Sequence, residues 1–265
     1  MMHSAQTSSA TAENGGSAGS ILYSPTLSAL GVRHGFTTRL GGVSLGRFAS
    51  LNLGERWGDA PDSVAQNLAR VASAAGFSSS SLCTVNQVHS TRVIPLSHPE
   101  RRAQEADGMV TQAPLTLGVY SADCVPILLA DGCGRVAAVH AGWRGTVAGI
   151  AAVAVDELAK IGAKRTELRA VLWPSIGPCC FEVKEDVAAP FRSLDAGLLS
   201  ENQHGRQVVD LWRANRRYLL DSGLSPAHIE LPTACTCCDP TRFFSYRREG
   251  SGIGQHLAFI VGGGT

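Results

Sequence analysis

Three side chains in short, glycine-flanked settings have the types needed for shared chemistry. They are His89 in Asn-Gln-Val-His (86–89), Cys124 in Ser-Ala-Asp-Cys (121–124) and His140 in His-Ala-Gly-Trp-Arg-Gly (140–145). Two imidazoles and a thiolate suit zinc, and three protein ligands leave a fourth position for water or substrate, the ligand count of a catalytic rather than a structural zinc. Such an ion lowers the pKa of bound water to about 7 or polarises a substrate oxygen. The separations of 35 and 16 residues follow no finger pattern, so the local settings carry the argument. Cys124 follows a polar turn between two apolar runs, and His140 closes an apolar run ahead of a glycine-rich turn. Both settings fit strand ends, where α/β folds place their chemistry. Two other readings compete. The histidines could be satisfied core residues with Cys124 a small buried side chain. Alternatively, Cys124 could be a metal-free nucleophile with a histidine as its base.

The turn after His140 adds an anion-binding possibility. Gly142 and Gly145 let the backbone approach a ligand, and Arg144 offers a bidentate donor for phosphate or carboxylate. A helix expected from Thr146 would add unpaired N–H groups and a positive dipole end. An ordinary glycine-softened strand-to-helix turn explains the same residues. Asp123, beside Cys124, is either an orienting partner or general acid, or a turn-forming aspartate.

Positioning these residues requires strands that end at one edge. The sequence predicts strands over 32–38, 91–96, 116–120, 125–130, 135–140, 168–173, 229–233 and 257–261. Pro126 marks 125–130 as an edge or bulged strand. Helices are predicted from Pro61, with Val64, Leu68 and Val71 on one face, over 146–161, and over 208–222, with Leu211, Trp212, Tyr218 and Leu219 on one face. The alternation has no even βαβ beat, so a layered, mixed-sheet α/β (α+β) fold is expected rather than a doubly wound one.

No Gly- or Pro-rich linker divides the chain after residue 20, so one domain is expected over 21–265. Residues 1–20 are mostly Ser, Ala, Gly and Thr, and read as a disordered tail rather than a secretory signal. A net charge of +1 leaves no basic footprint for nucleic acid. No apolar run reaches the ~20 residues of a membrane span. The 8 cysteines fall in vicinal or near-vicinal groups, which favours reduced thiols in the cytoplasm over a disulfide scaffold. Cys179, Cys180, Cys235, Cys237 and Cys238 read first as packing, with a second zinc site as the alternative.

Longer motifs point to a family. They are His-Gly-Phe-Thr-Thr-Arg (34–39), Ser-Leu-Asn-Leu-Gly (50–54), Ala-Asp-Gly-Met-Val-Thr (106–111), Ser-Ala-Asp-Cys-Val-Pro-Ile-Leu-Leu-Ala-Asp (121–131), Ile-Gly-Pro-Cys-Cys-Phe-Glu-Val (176–183) and Cys-Asp-Pro-Thr-Arg-Phe-Phe-Ser-Tyr-Arg-Arg (238–248). With the settings of His89 and His140, they resemble the purine nucleoside phosphorylases once labelled multicopper polyphenol oxidoreductases or laccase-domain proteins. Bacterial members are also called peptidoglycan editing factors. The resemblance runs from Ile21 to the C-terminus. It implies a layered αββα-type single domain, with mixed sheets flanked by helices. It also implies zinc held by His89, Cys124 and His140, and phosphorolysis of adenosine, inosine and methylthioadenosine, with adenosine deaminase activity beside it. The partners are then purine nucleosides and phosphate, with the oligomeric state left open and a monomer plausible. The departures are Thr37, where Ser is common, and the extra cysteine in Cys235-Thr-Cys-Cys.

In that light Arg39 could contact nucleoside or phosphate, or lock a turn. Gln87, which a strand would face the same way as His89, could read a base edge. Arg242, Arg247 and Arg248 among Phe243, Phe244 and Tyr246 line an anionic pocket or form a half-buried strand. Two other activities fit the same residues. A copper-dependent phenol oxidase would want His-x-His pairs, and none of the 8 histidines forms one. Its blue-copper form would need Met109 as axial ligand. A cysteine-dependent amide hydrolase in peptidoglycan precursor editing would need only Cys124 and a base.

Overall fold

The computed structural model describes residues 19–263. The tail expected over 1–20 lies outside the described residues except for Gly19 and Ser20. Their carbonyls each accept a 2.8 Å hydrogen bond from Thr38, so both belong to the fold.

The strands, in chain order, are β1 (Ile21–Leu22), β2 (His34–Thr37), β3 (Leu82–Asn86), β4 (Val93–Pro95), β5 (Arg101–Glu105), β6 (Gly108–Thr111), β7 (Thr116–Ser121), β8 (Val125–Ala130), β9 (Val136–Ala141), β10 (Arg169–Leu172), β11 (Leu199–Glu201), β12 (Gln207–Val209), β13 (Ile229–Glu230) and β14 (His256–Val261). The helices are α1 (Pro25–Ser28), α2 (Pro61–Ala75), α3 (Trp143–Val147), α4 (Ile150–Lys160), α5 (Glu185–Leu194), α6 (Leu211–Asp221) and α7 (Tyr246–Glu249). One six-stranded sheet runs β1-β2-β14-β7-β3-β5 and a second runs β13-β10-β8-β9-β6-β4, while β11 and β12 form a hairpin. Both large sheets mix parallel and antiparallel pairs.

Alternation along the central strands builds the layers. On β9, Val136 and Ala138 join the core between the sheets, with Phe36, Leu117, Val119 and Ile260. Ala137, Val139 and Ala141 instead meet Ile150, Ala154 and Leu158 of α4 and Leu211 and Leu219 of α6. On the far side Leu68 and Val71 of α2 pack on Leu82, Tyr120 and Phe259. The result is helix, sheet, sheet, helix. Each buried Leu, Val or Phe contributes about 1.5–3 kcal/mol of transfer free energy.

Three features depart from expectation. Pro126 lies on an interior strand, since β8 is flanked by β10 and β9. It stands opposite His140, whose amide donates to Asp107 on the other side at 2.7 Å, so that pair asks no donor of the proline. The helix expected over 146–161 starts earlier, at Trp143, and breaks at Gly149 (φ +80°), where the Tyr218 hydroxyl caps the Val147 carbonyl at 2.8 Å. The 208–222 helix begins only at Leu211. Val208 and Val209 belong to β12, and Asp210 caps the helix by accepting from the Arg213 amide at 2.9 Å.

Three chain segments cross from the first sheet to the second at one end of the sandwich. They are residues 87–92 from β3 to β4, 106–107 from β5 to β6, and 122–124 from β7 to β8. The strands β3, β5 and β7 are parallel, so their C-terminal ends coincide. The C-terminal end of β9 meets the start of β8 at the same edge. Among the described residues no helix is long and apolar enough to cross a membrane.

Candidate active site

Each crossing delivers one polar residue to the shared end. His89 sits in the first, Asp107 in the second and Cys124 in the third, while His140 arrives on β9. The crossings are tight. His89 (φ +62°) and Asp123 (φ +96°) both adopt left-handed backbone, which costs a non-glycine residue about 1–3 kcal/mol.

Asp107 holds the first corner. Its Oδ1 accepts from the His89 amide at 3.0 Å, and its Oδ2 accepts from the amides of Val88 (3.2 Å) and Ser90 (2.6 Å) and the Ser90 hydroxyl (2.8 Å). The same Oδ1 receives the His140 Nδ1 proton at 2.8 Å. That bond fixes the His140 ring and leaves its Nε2 for the site. Burial would raise the Asp107 carboxyl, but His140 and Ser90 outweigh it and bring the pKa to about 2.

Cys124 Sγ lies 3.8 Å from His89 Nε2, and the two imidazole centroids are 5.0 Å apart. One donor atom from each of His89, Cys124 and His140 falls within 4.8 Å of the others. Gly142 makes room, because a Cβ there would come within 2.6 Å of the His89 ring and 3.3 Å of the Cys124 sulfur. Burial raises the Cys124 thiol, yet His140 and His89 bring it down to about 6. Burial likewise opposes charge on His140, but Cys124 and Asp107 raise it to about 9. Each group thus favours the charged form of the other, which inclines Cys124 towards the thiolate that metal binding requires.

His89, Cys124 and His140 line a cleft of about 650 Å³. Trp57 and Tyr246 flank it with ring centroids 6.0 Å apart, and Arg56, Arg144, Lys184 and Arg247 supply positive charge. Arg144 lies over the Trp143 ring, 4.3 Å from its centroid.

The family model described as multi-copper polyphenol oxidoreductase laccase matches residues 33–262. The chain belongs to that family. A relative named purine nucleoside phosphorylase from Deinococcus radiodurans is 40% identical over 233 residues, covering 87% of this chain and 89% of that protein. The crystal structure of YlmD from Geobacillus stearothermophilus superposes with a TM-score of 0.84 at 33% identity, covering 91% of this chain and 94% of the other. That of Bacillus licheniformis YfiH gives 0.85 at 31% identity, over 92% and 97%.

In this laccase-family chain the structure gathers His89, Cys124, His140, Asp123, Gln87 and Arg144 around the cleft, but not Arg39. The Arg39 guanidinium donates to the carbonyls of Ala49 and Pro240 at 3.0 Å each and stacks 4.5 Å from the Phe244 ring centroid, so it locks loops instead. Gln87 lies beyond the end of β3, not on a strand with His89. Both ends of its amide are bonded to the Tyr120 backbone at 2.8 Å, which fixes the side chain and leaves one N–H and one oxygen lone pair uncommitted. The Asp123 carboxylate accepts from Thr236 (2.6 Å), Ser245 (3.0 Å) and the Arg247 amide (2.6 Å), which anchors the Cys124 corner. The anion-binding helix start expected at Thr146 is absent, since Thr146 is buried within α3. Arg247 reaches the cleft from α7, a helix rather than the expected strand, whereas Arg248 is tied to the carbonyls of Thr236, Cys237 and Phe243. Met109 is buried between the sheets and does not line the cleft, so it offers no axial ligand. Sequence reasoning missed Asp107 and Ser90. The available signal was the Asp-Gly pair at 107–108, an acidic residue at a turn directly before a strand.

Proposed function

We propose that the protein is a zinc-dependent purine nucleoside phosphorylase acting on adenosine, inosine and methylthioadenosine, with adenosine deamination as a side activity. The observation that carries this reading is the convergence of His89, Cys124 and His140 at a cleft with aromatic walls and cationic side chains. The donor set fits zinc: two imidazoles, a thiol already inclined to ionise, an orienting carboxylate and a Cβ-free cradle at Gly142. A zinc ion on these three residues would supply Lewis-acid polarisation at an open position. The names of the relatives support the reaction class.

The chain's own groups then position the reactants. Trp57 and Tyr246, tilted against each other, offer aromatic surface on which a purine can pack, and Arg144 and Lys184 offer charge to phosphate. In phosphorolysis a phosphate oxygen bonds to ribose C1′ while the C1′–N9 bond breaks and the base takes a proton, giving free purine and ribose 1-phosphate. Holding both reactants in line lowers the barrier by removing their relative freedom before the step. In deamination a water oxygen bonds to purine C6 and ammonia leaves. Asp107 keeps the proton on His140 Nδ1, and Asp123 holds the backbone that presents Cys124. The vicinal and near-vicinal grouping of the cysteines fits a cytoplasmic site of action.

The closeness of the Cys124 thiol to two imidazoles, 3.8 Å from His89 Nε2, favours one second reading, a metal-free cysteine hydrolase. Incubation with adenosine or inosine, with and without phosphate, separates the two. The phosphorylase releases base and ribose 1-phosphate only with phosphate and is stopped by chelators. The hydrolase is stopped by alkylation and ignores chelators. Absence of any phosphate-dependent base release would overturn the proposal.

A further inference from the structure

Four thiols that play no part in the cleft meet elsewhere. Cys179 and Cys180 lie on the turn after β10, and Cys235 and Cys238 on the turn after β13. The two turns are already tied together: the Thr236 amide donates to the Ser175 carbonyl at 3.0 Å and the Gly177 amide to Cys235 Sγ at 3.1 Å. Cys238 Sγ is 3.5 Å from Cys179 Sγ and 3.3 Å from Cys180 Sγ, and all four sulfurs fall within 4.8 Å of one another. Zinc–sulfur bonds of about 2.3 Å give a tetrahedron with edges of about 3.8 Å, so the cluster has the size of a four-sulfur site. A disulfide would need one pair at about 2.05 Å, and all four residues are free.

We propose that Cys179, Cys180, Cys235 and Cys238 bind a second zinc ion in a closed, structural tetrathiolate site. It shares no ligand with His89, Cys124 and His140. Four sulfur donors select a thiophilic ion over calcium or magnesium, and four protein ligands leave no open position. On binding, four S–H bonds give up their protons to solvent, four Zn–S bonds form and nothing is oxidised. The complex keeps two negative charges. Arg247 and Arg248 stand beside it to offset them, donating to the Cys180 carbonyl at 2.7 Å and the Cys237 carbonyl at 2.9 Å. Cys179 and Cys238 are exposed, which gives the ion an entry. The site would clasp the two segments that hold the Cys124 corner. The Ile176 amide donates to the Asp123 carbonyl at 2.9 Å, and the Thr236 hydroxyl donates to the Asp123 carboxylate.

The test is metal content of the full chain, purified under reducing conditions and dialysed against zinc. Two ions per chain are expected in the wild type. One is expected in the Cys179→Ser/Cys238→Ser variant and one in the His89→Ala/His140→Ala variant. If the serine variant does not fold, cobalt(II) titration of the histidine variant decides alone. It should show one tetrahedral site with intense sulfur-to-cobalt charge transfer. A single ion in the wild type that the histidine variant loses, or a histidine variant that takes up no cobalt, would overturn the proposal. A single ion that the histidine variant keeps would uphold it and count against the cleft zinc instead. So would a disulfide among the four thiols of the reduced protein.

Discussion

Replacing Asp107 by Asn keeps the size of the side chain and removes its charge. The carboxylate accepts five hydrogen bonds of 3.2 Å or less, two on Oδ1 and three on Oδ2. An amide has one acceptor oxygen, so in its better orientation Asn still sets an NH2 group against the His89 amide and His140 Nδ1. Each orphaned buried donor costs about 1–3 kcal/mol, so Asp107→Asn should lose about 2–5 kcal/mol of stability. His140 can relieve the clash only by moving its proton to Nε2, which takes that nitrogen out of metal binding. Removing an orienting carboxylate typically weakens metal affinity by about 10- to 100-fold. Urea denaturation reads the first effect and chelator competition for zinc reads the second. Metal affinity within about 2-fold of wild type, with stability unchanged, would refute the role given to Asp107.

Gly142→Ala should push a methyl group against the His89 ring and lower zinc affinity by at least about 10-fold, while the misfit costs about 1–3 kcal/mol; isothermal titration and thermal melts measure both. The Asp107 carboxyl lies at about 2 in the fold against 3.8 as its ordinary value. A depressed carboxylate stabilises above its unfolded pKa and stops doing so as pH falls through the folded one. Its share of about 2 kcal/mol should therefore be complete above about pH 4 and fade towards pH 2, and denaturant midpoints of wild type and Asp107→Asn should converge over that window. Arg39→Ala should lower stability by about 2–3 kcal/mol through two lost carbonyl partners, with the Michaelis constant for nucleoside within about 2-fold of wild type. A large rise in that constant would return Arg39 to the binding site.

The layered class was legible because β7, β8 and β9 are long apolar runs and α2 has a clear apolar face. The gaps have local causes. Strand β5 reads Arg-Arg-Ala-Gln-Glu and forms the edge of its sheet, where charged residues are favoured and apolar alternation is not needed. The break at Gly149 sits inside an Ala- and Val-rich stretch whose composition favours an unbroken helix; the Tyr218 contact that fixes it comes from α6. Pro126 is accommodated in an interior strand because its N faces away from β9 towards Trp173, one residue past the end of β10, a placement only the register reveals. At the site, residue type and turn setting sufficed to single out His89, Cys124 and His140 as groups able to share a metal, and the fold brings one donor atom from each within 4.8 Å of the others. Asp107 was hidden because its role depends on three crossings arriving at one edge. Arg39 and Gln87 had the right chemistry, but neighbouring backbone engages it, loop carbonyls for Arg39 and Tyr120 of β7 for Gln87.

The most direct measurement is cleavage of inosine, with phosphate present, by protein stripped of metal and then given zinc in stepwise equivalents. The stripped protein should release no hypoxanthine, activity should return as the His89–Cys124–His140 set fills, and His140→Ala should stay inactive at every zinc level. Stripped protein that cleaves inosine at the wild-type rate would contradict the account.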